Sequence, residues 1–234
     1  MAFTFFFRDS QTLEVAIDRL VGQVQGQRYI DVWDAGCAHG PEPFTVAILL
    51  RERMSHFLFR NVRLQATDVD ANFAAQVASG VYPEGEVQRI PADLRQRYFH
   101  SADQPGRVQV IPEIRDRVHF RQHDLLSLNP GGKNFDLIVC KNVLLHFSEE
   151  DRVRVLAMFH GSLRPGGLLA MEHTQKMPER LKPHFRCLNS YAQVYQKAEQ
   201  VTEMHPAHRQ MPLETGLRPF GLGSEKTVKD SATI

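Results

Sequence analysis

The chain has 234 residues, a formal net charge of +1 at pH 7 and a hydrophobic fraction of 42%. This length suits one domain with a sizeable core, and the near-zero charge gives no electrostatic reason to expect nucleic acid as a partner. The three cysteines are odd in number and far apart, which argues against a disulfide framework or zinc knuckle and fits a cytoplasmic location. The apolar run Met1–Phe7 is too short for a signal peptide or membrane span, so we expect no membrane insertion.

A helix is predicted directly after this N-terminal aromatic cluster. Apolar residues recur at a spacing of about 3.6 residues from Leu13 to Val24, and Ser10 is the predicted N-cap. Arg8 stands between the cluster and the helix. A guanidinium beside apolar side chains usually has a partner, so Arg8 is a candidate functional residue.

The stretch Tyr29–Gly40 predicts a strand, a glycine turn and the start of a helix that Pro41 opens. This is the first unit of a doubly wound α/β fold, in which ligands bind at the carboxyl ends of the strands. The pattern Asp34-x-Gly36-x-x-x-Gly40 is neither the dinucleotide-binding fingerprint nor a P-loop. An acid ahead of the first glycine suits a ligand with a positive centre, although a tight turn without any ligand has a similar sequence.

A second strand is predicted over Val62–Thr67, followed by two acids. An acid at this strand end is where doubly wound folds hold ribose hydroxyls, so we assign Asp68 to a ligand. We assign Asp70 to the cap of the next helix, about Ala71–Ser79, which ends at Gly80 in a left-handed conformation.

Residues 81–117 break the alternation of strands and helices. They contain four prolines, a short helical stretch near Asp93–Phe99 and a strand-like stretch at Val108–Ile111. Because apolar residues persist throughout, we interpret this region as an inserted subdomain rather than a linker.

The alternation resumes after the insertion. Val118–Phe120 begins a third strand that ends near His123-Asp124, and Phe135–Cys140 is an apolar run typical of a parallel strand buried on both faces. His119 and His123 lie four residues apart, but on a strand they do not have the geometry of a helical metal pair, so we expect no metal site.

The C-terminal third is predicted to contain a helix, a strand and a hairpin. Ser148-x-x-Asp151 is a capping box that opens the helix Glu149–Ser162. Leu163–Gly167 is predicted as a turn before a fifth strand, Leu168–Glu172. Alternating residues in Cys187–Lys197 predict a closing antiparallel hairpin, and residues 201–234 are predicted to be a poorly specified tail.

Polar groups therefore recur at predicted strand ends, which favours a cofactor with an adenosine-like part. Seven stretches between about Thr4 and Ala198 also match one family in order: Thr4–Arg8, Ala35–Phe44, Ala66–Asp70, Ser79–Tyr82, Gln96–Phe99, Cys140–Phe147 and Leu163–Leu169. On these residues the chain resembles S-adenosylmethionine-dependent methyltransferases, and most closely the CheR-type chemoreceptor glutamate methyltransferases.

The resemblance implies a mostly parallel, seven-stranded Rossmann-like sheet with a small β-subdomain inserted at about residues 86–117. It implies a methyltransferase domain over residues 1–200, with S-adenosylmethionine as cofactor and S-adenosylhomocysteine as product. Asp68 would hold the ribose hydroxyls, Asp124 would lie near the adenine and Glu42 would contact the amino-acid end. The positions that match the family's cofactor pocket are Thr4, Arg8, Ala35, Gly36, Glu42, Asp68, Asp124, Leu125, Lys141 and Asn142.

The chain departs from the family at several of these positions. Where the family has Gly-Glu-Glu-Pro-Tyr, this chain has Gly-Pro-Glu-Pro-Phe at Gly40–Phe44. The family's Arg-Asn is replaced by Lys141-Asn142, and its Asn-Leu by Asp124-Leu125. The family tyrosine that lies near the methyl acceptor is His146. The family's N-terminal helical domain, which helps to recognise the receptor, is expected to be absent because Phe5 begins where that domain would end.

The resemblance predicts an enzyme that methylates a protein glutamate, with a chemoreceptor-like signalling protein as partner and a peptide bound by the inserted subdomain. A glutamate carboxylate is already ionised at neutral pH, so this transfer needs no general base. We assign Arg8 and His146 as catalytic residues. Arg8 would orient the acceptor or the cofactor, and His146 would pack or hydrogen-bond beside the methyl group.

Two alternatives stay open. One is a methyltransferase that acts on a small molecule or another side chain, with His146 as its base. The other is a non-catalytic relic that binds cofactor and partner without turnover. An oxidoreductase is disfavoured, because the glycine pattern does not match the dinucleotide fingerprint.

Overall fold

The computed structural model of the protein describes residues 4–198, and the predicted tail over residues 201–234 lies outside them. The described strands are β1 (Ile30–Ala35), β2 (Val62–Asp68), β3 (Val81–Pro83), β4 (Phe99–Ser101), β5 (Arg107–Val110), β6 (Val118–Gln122), β7 (Phe135–Cys140), β8 (Leu163–Met171), β9 (Phe185–Asn189) and β10 (Val194–Lys197). The described α-helices are α1 (Ser10–Gln23), α2 (Pro41–Arg53), α3 (His56–Phe59), α4 (Phe73–Ser79), α5 (Ala92–Tyr98), α6 (Pro112–Arg115) and α7 (Glu149–Ser162). Of these helices, none combines the length and apolar character needed to cross a bilayer.

Seven strands form one sheet in the order β6-β2-β1-β7-β8-β10-β9. The strands from β6 to β8 run parallel, and β10 pairs antiparallel with both β8 and β9. The predicted α/β fold with a doubly wound, mostly parallel seven-stranded sheet is confirmed, as is the closing hairpin. The direction of winding reverses between β1 and β7, which is where such folds bind their ligands.

The core lies on both faces of this sheet. One cluster joins α1 and α2 to one face, and the other joins α7 to the opposite face around the buried indole of Trp33. Every residue of β7 is buried, as its apolar run predicts. Helix α2 is buried on all sides over residues 41–50, because it packs against α1 and α6 as well as the sheet.

The inserted region contains a three-stranded antiparallel sheet in the order β3-β5-β4. Its first strand begins at Val81, ahead of the boundary that the resemblance implies. The ring of Phe6 meets Tyr82 and Phe99 edge-to-face, at centroid distances of 4.9 and 5.3 Å. The N-terminal aromatic cluster therefore joins the inserted sheet to the main core.

Two capping predictions are wrong. Ser10 is the first residue of α1, and the N-cap is Asp9, which is in the left-handed conformation (φ 45°) and makes no side-chain cap bond. Helix α4 begins at Phe73, so Asp70 lies too early to cap it. The Oδ1 atom of Asp70 instead accepts a hydrogen bond of 2.9 Å from the backbone N–H of Asn72, and this bond fixes the turn before the helix.

The predicted turn at Leu163–Gly167 is also wrong, because these residues form the first half of β8. The Pro-Gly-Gly sequence favours a turn locally, but the segment pairs with β7 through an irregular register near Phe135. A side chain at Gly167 would lie 2.8 Å from the carbonyl oxygen of Phe135. The glycine here permits close approach of two strands rather than a reversal.

The N-cap of the predicted capping box is present at the start of α7, since Ser148 Oγ accepts a 3.1 Å hydrogen bond from the backbone N–H of Asp151. We expect Ser148→Ala to lower the free energy of unfolding by about 1 kcal/mol, because one helix N–H loses its partner. Ser10→Ala is the matched control and should have no measurable effect, because Ser10 makes no cap bond. Urea denaturation measures both changes, and equal losses in the two variants would contradict the assignment.

Candidate functional site

A cavity of about 400 Å³ opens at the carboxyl edge of the sheet, above the point where the winding reverses. This volume is typical of small-molecule sites. Eight residues predicted from sequence line it: Thr4, Arg8, Gly36, Glu42, Asp68, Lys141, Asn142 and His146. Ala38, Val143 and Leu145 complete the lining and were not predicted.

Three predicted positions do not line this cavity. Ala35 is buried in the core cluster around Trp33, because its side chain points to the face that α7 covers. Leu125 packs in the same cluster. Asp124 is exposed just beyond β6, where its Oδ1 atom accepts a hydrogen bond from the backbone N–H of Leu126. Asp124 still lies at the ligand edge of the sheet, since β6 is the neighbour of β2.

The glycine turn after β1 forms one wall of the cavity. The backbone N–H groups of Gly36 and Cys37 donate to the carbonyl oxygen of Thr67 at 2.8 and 2.9 Å. Gly36 has a φ of +101°, and a Cβ atom there would overlap Cγ2 of Val143. Glycine is thus required twice, by the backbone conformation and by the close approach of the loop after β7.

The turn is also tied to the core behind it. The indole nitrogen of Trp33 donates a buried 2.8 Å hydrogen bond to Thr67 Oγ1. Thr67 therefore joins Trp33 through its hydroxyl and the glycine turn through its carbonyl oxygen. Hydrogen bonds made by Thr67 therefore connect Trp33 to the glycine turn that forms the cavity wall.

Asp68 is fixed at the end of β2 by two backbone donors. Its Oδ2 atom accepts from Ala38 N–H at 2.9 Å, and its Oδ1 atom accepts from Asp70 N–H at 3.1 Å. A carboxylate has about four lone-pair sites, so each oxygen retains capacity for a ligand donor. The arrangement presents two fixed acceptors to the cavity, as a vicinal diol would need.

A buried ion pair forms another wall. The Lys141 ammonium lies 3.1 Å from Glu42 Oε2 and donates a 2.8 Å hydrogen bond to the backbone carbonyl of Arg8. The Lys141 side chain is 0% exposed, and Glu42 is 8% exposed in the first turn of α2. Burial raises the pKa of Glu42, whereas Lys141 and Arg8 act in the opposite direction.

Two buried acids beside the cavity were not among the predicted site residues. Glu172 follows β8, and its Oε2 atom accepts a 2.6 Å hydrogen bond from the backbone N–H of Asn142, which has a φ of +58°. The signal that could have found Glu172 is the one that identified Asp68, an acid at the carboxyl end of a strand. Asp34, near the end of β1, is 0% exposed, and its pKa is raised well above the usual range by burial and then by Glu42.

The close approach at Gly36 leads to a test of the turn. We expect Gly36→Ala to lower the free energy of unfolding by more than about 2 kcal/mol, because positive φ and the overlap with Val143 both penalise a side chain. Gly161→Ala is the matched control. Gly161 lies in α7 with open space around it, so alanine there should raise stability by about 0.5–1 kcal/mol. Thermal or chemical unfolding of both variants measures the difference, and a harmless Gly36→Ala would contradict this geometry.

Structural comparisons give low similarity scores. A TehB-like SAM-dependent methyltransferase from Corynebacterium glutamicum has a TM-score of 0.43 at 14% identity, with 78% of this chain and 85% of that chain covered. PKMT2 from Rickettsia typhi in complex with AdoHcy has a TM-score of 0.43 at 16% identity, covering 73% of this chain and 26% of that one. We rest the fold assignment on strand order instead.

Sequence comparisons are more informative. A chemotaxis protein methyltransferase from Borreliella burgdorferi is 29% identical over 180 residues, covering 74% of this chain and 63% of the relative. Chemotaxis protein methyltransferase 1 of Pseudomonas aeruginosa is 33% identical over 186 residues, covering 75% and 68%. The chain thus spans about two thirds of the length of these curated relatives. The family model described as "CheR methyltransferase, SAM binding domain" matches residues 2–194, and the chain therefore belongs to this family.

Proposed function

We propose that this protein transfers a methyl group from S-adenosylmethionine to a glutamate carboxylate of a protein acceptor. The observation that carries the proposal is the cavity at the sheet's switch point, which is lined by seven of the ten residues whose positions match the CheR cofactor pocket. In this proposal the methyltransferase domain covers residues 1–200.

The side chains present fit S-adenosylmethionine. The two fixed carboxylate oxygens of Asp68 suit the ribose hydroxyls, and the lack of a side chain at Gly36 leaves room beside the backbone. Glu42, in the cavity wall, is assigned to the amino-acid end of the cofactor. Asp124 and Leu125 lie beyond the strand next to Asp68, and we assign them to the adenine side.

Methyl transfer to a carboxylate requires mainly that the protein hold the acceptor and the cofactor in the correct relative geometry. The bound cofactor supplies an electrophilic methyl group on a positively charged sulfur. A glutamate acceptor is ionised at neutral pH, so the protein must hold it in line rather than remove a proton. Orientation of this kind contributes up to roughly 7–11 kcal/mol in favourable cases.

Two lining residues are assigned to that task. The guanidinium of Arg8 is the donor best suited to a carboxylate, and we assign it to orient the acceptor or the cofactor. His146 is exposed at the cavity mouth, where it can contact the acceptor beside the transferred methyl group. Neither role requires either side chain to change its charge.

The acceptor in this proposal is a chemoreceptor-like protein, as the names of the relatives suggest, and the reaction takes place in the cytoplasm. The inserted sheet offers a docking surface, because β3 and β4 are its two edge strands. An extended segment of the partner could pair with one of these edges through backbone hydrogen bonds.

The exposed imidazole of His146 supports a second candidate, methyl transfer to a hydroxyl or amine with His146 as general base. Such acceptors must lose a proton, and imidazole is suited to accept one near neutral pH.

The cofactor assignment is tested by calorimetric titration with S-adenosylmethionine and S-adenosylhomocysteine. We expect Asp68→Ala to weaken the binding of both by at least about tenfold, because charge-assisted hydrogen bonds to the ribose are lost. Asp70→Ala is the matched control, since Asp70 lies outside this cavity and should leave both affinities unchanged. Failure of folded wild-type protein to bind either ligand would refute the proposal.

The acceptor class is tested by the pH dependence of turnover on a purified chemoreceptor cytoplasmic fragment. For glutamate methylation we expect a label that alkali releases as methanol, and His146→Phe should retain turnover within about tenfold. A hydroxyl or amine acceptor predicts an alkali-stable label instead. It also predicts an acidic rate limb that disappears in His146→Phe, with a loss of roughly 10²–10⁴-fold.

A further inference from the structure

Asp34 is a buried acid to which the proposed reaction assigns no role. It is 0% exposed, and within residues 4–198 neither of its carboxyl oxygens has a hydrogen-bond partner. The two buried acids nearby each have a partner, since Glu42 pairs with Lys141 and Glu172 accepts a hydrogen bond from Asn142. Buried polar groups in folded proteins are nearly always paired, so this carboxyl group calls for a functional explanation.

The position of Asp34 places it beneath the cavity. It lies two residues before Gly36, and alternate residues of a strand share a face of the sheet. Its register partner on β7 is Val139, two residues before Lys141. Gly36 and Lys141 both line the cavity, so the carboxyl group sits under its floor without reaching the surface.

The charged groups that influence the pKa of Asp34 lie on three elements. Glu42 on α2 and Asp68 at the end of β2 oppose its ionisation, and Lys141 after β7 favours it. Burial is the largest influence on the pKa of Asp34, and it acts against the ionised form. Burial and two acids against one ammonium therefore oppose ionisation of this carboxyl group, and further positive charge in the cavity would favour it.

We propose that Asp34 is a proton-linked counter-charge that distinguishes a cationic ligand of this cavity from a neutral one. When S-adenosylmethionine binds, its sulfonium favours the ionised carboxylate, the O–H bond of Asp34 breaks and the proton passes to solvent. S-adenosylhomocysteine carries a neutral thioether in place of the sulfonium, and Asp34 keeps its proton. The inference rests on the proposed cofactor but not on the identity of the acceptor.

A consequence follows for the pH dependence of binding. Because binding of S-adenosylmethionine releases a proton, its affinity must rise as the pH rises, by linkage. The affinity for S-adenosylhomocysteine should not change over the same interval. The preference for cofactor over product is therefore greatest on the alkaline side, where the expelled proton is most readily taken up.

The direct test is calorimetric titration of the wild-type protein near pH 6.5 in phosphate and in imidazole buffer, which differ strongly in ionisation enthalpy. The probes are S-adenosylmethionine, S-adenosylhomocysteine and sinefungin, a stable analogue with an amine in place of the methylsulfonium. We expect the two cationic ligands to release up to about one proton and S-adenosylhomocysteine to release none. This measurement requires no variant and no turnover.

Asp34→Asn then assigns the proton, because asparagine is nearly isosteric and does not titrate. We expect the proton release to vanish and the affinity ratio of S-adenosylmethionine to S-adenosylhomocysteine to fall roughly tenfold, as one pKa unit of coupling implies. Retained binding of S-adenosylhomocysteine shows that the variant is folded. Asp70→Asn, at a half-buried acid outside this cavity, should preserve both the release and the ratio.

Each contrary result is distinct. Equal proton release with all three probes, or none with any of them, would overturn the inference while leaving cofactor binding intact. Release that persists in Asp34→Asn would assign the proton to another group and also overturn it. If wild-type protein binds none of the probes, the proposed function fails as well, and that outcome is separate from the others.

Discussion

The buried pair of Lys141 and Glu42 is the interaction on which the site depends. It joins three segments far apart in sequence, because the same ammonium also holds the backbone carbonyl of Arg8. Breaking such a pair typically costs 3–5 kcal/mol, against a total stability of about 5–15 kcal/mol for a domain. The N-terminal segment, the start of α2 and the end of β7 are therefore fixed together before any ligand arrives.

The inserted sheet is coupled to the same region through Tyr82. Its hydroxyl donates a 2.8 Å hydrogen bond to the carbonyl oxygen of His39, within the glycine turn. A side chain at Gly40 would overlap this hydroxyl. The region proposed to hold a partner peptide and the turn proposed to hold the cofactor are thus joined by a direct hydrogen bond.

The parts predictable from sequence are those governed by strong local signals. In each case a few neighbouring residues are enough for the prediction. The continuous apolar run predicts the buried strand β7, Ser148 predicts the N-cap of α7, and Asp68 marks the end of β2. Errors arose where distant contacts override local preference. The Pro-Gly-Gly segment extends as a strand because β7 lies beside it, and Ser10 is displaced from the cap by a left-handed entry at Asp9.

Glu172 shows the same limit within the site. The sequence predicts it only as the end of a strand. Its partner, the backbone N–H of Asn142, is 30 residues away, and the hydrogen bond forms only when β7 and β8 are adjacent. The sequence predicts that Asp34 suits a ligand with a positive centre, and this stays a prediction, whereas its complete burial follows from tertiary packing. Residue type indicated an acid at this strand end, but the burial that raises its pKa depends on tertiary contacts.

Trp33 gives the molecule an internal optical reporter. It is the single tryptophan of the chain, so the intrinsic indole emission comes from one dry environment. The indole is enclosed by the rings of Phe135, Phe159 and His123 and is linked through Thr67 to the glycine turn. A ligand that shifts this turn would alter the hydrogen bond and the polarity around the indole, and the fluorescence of Trp33 would then report occupancy of the cavity without any added label.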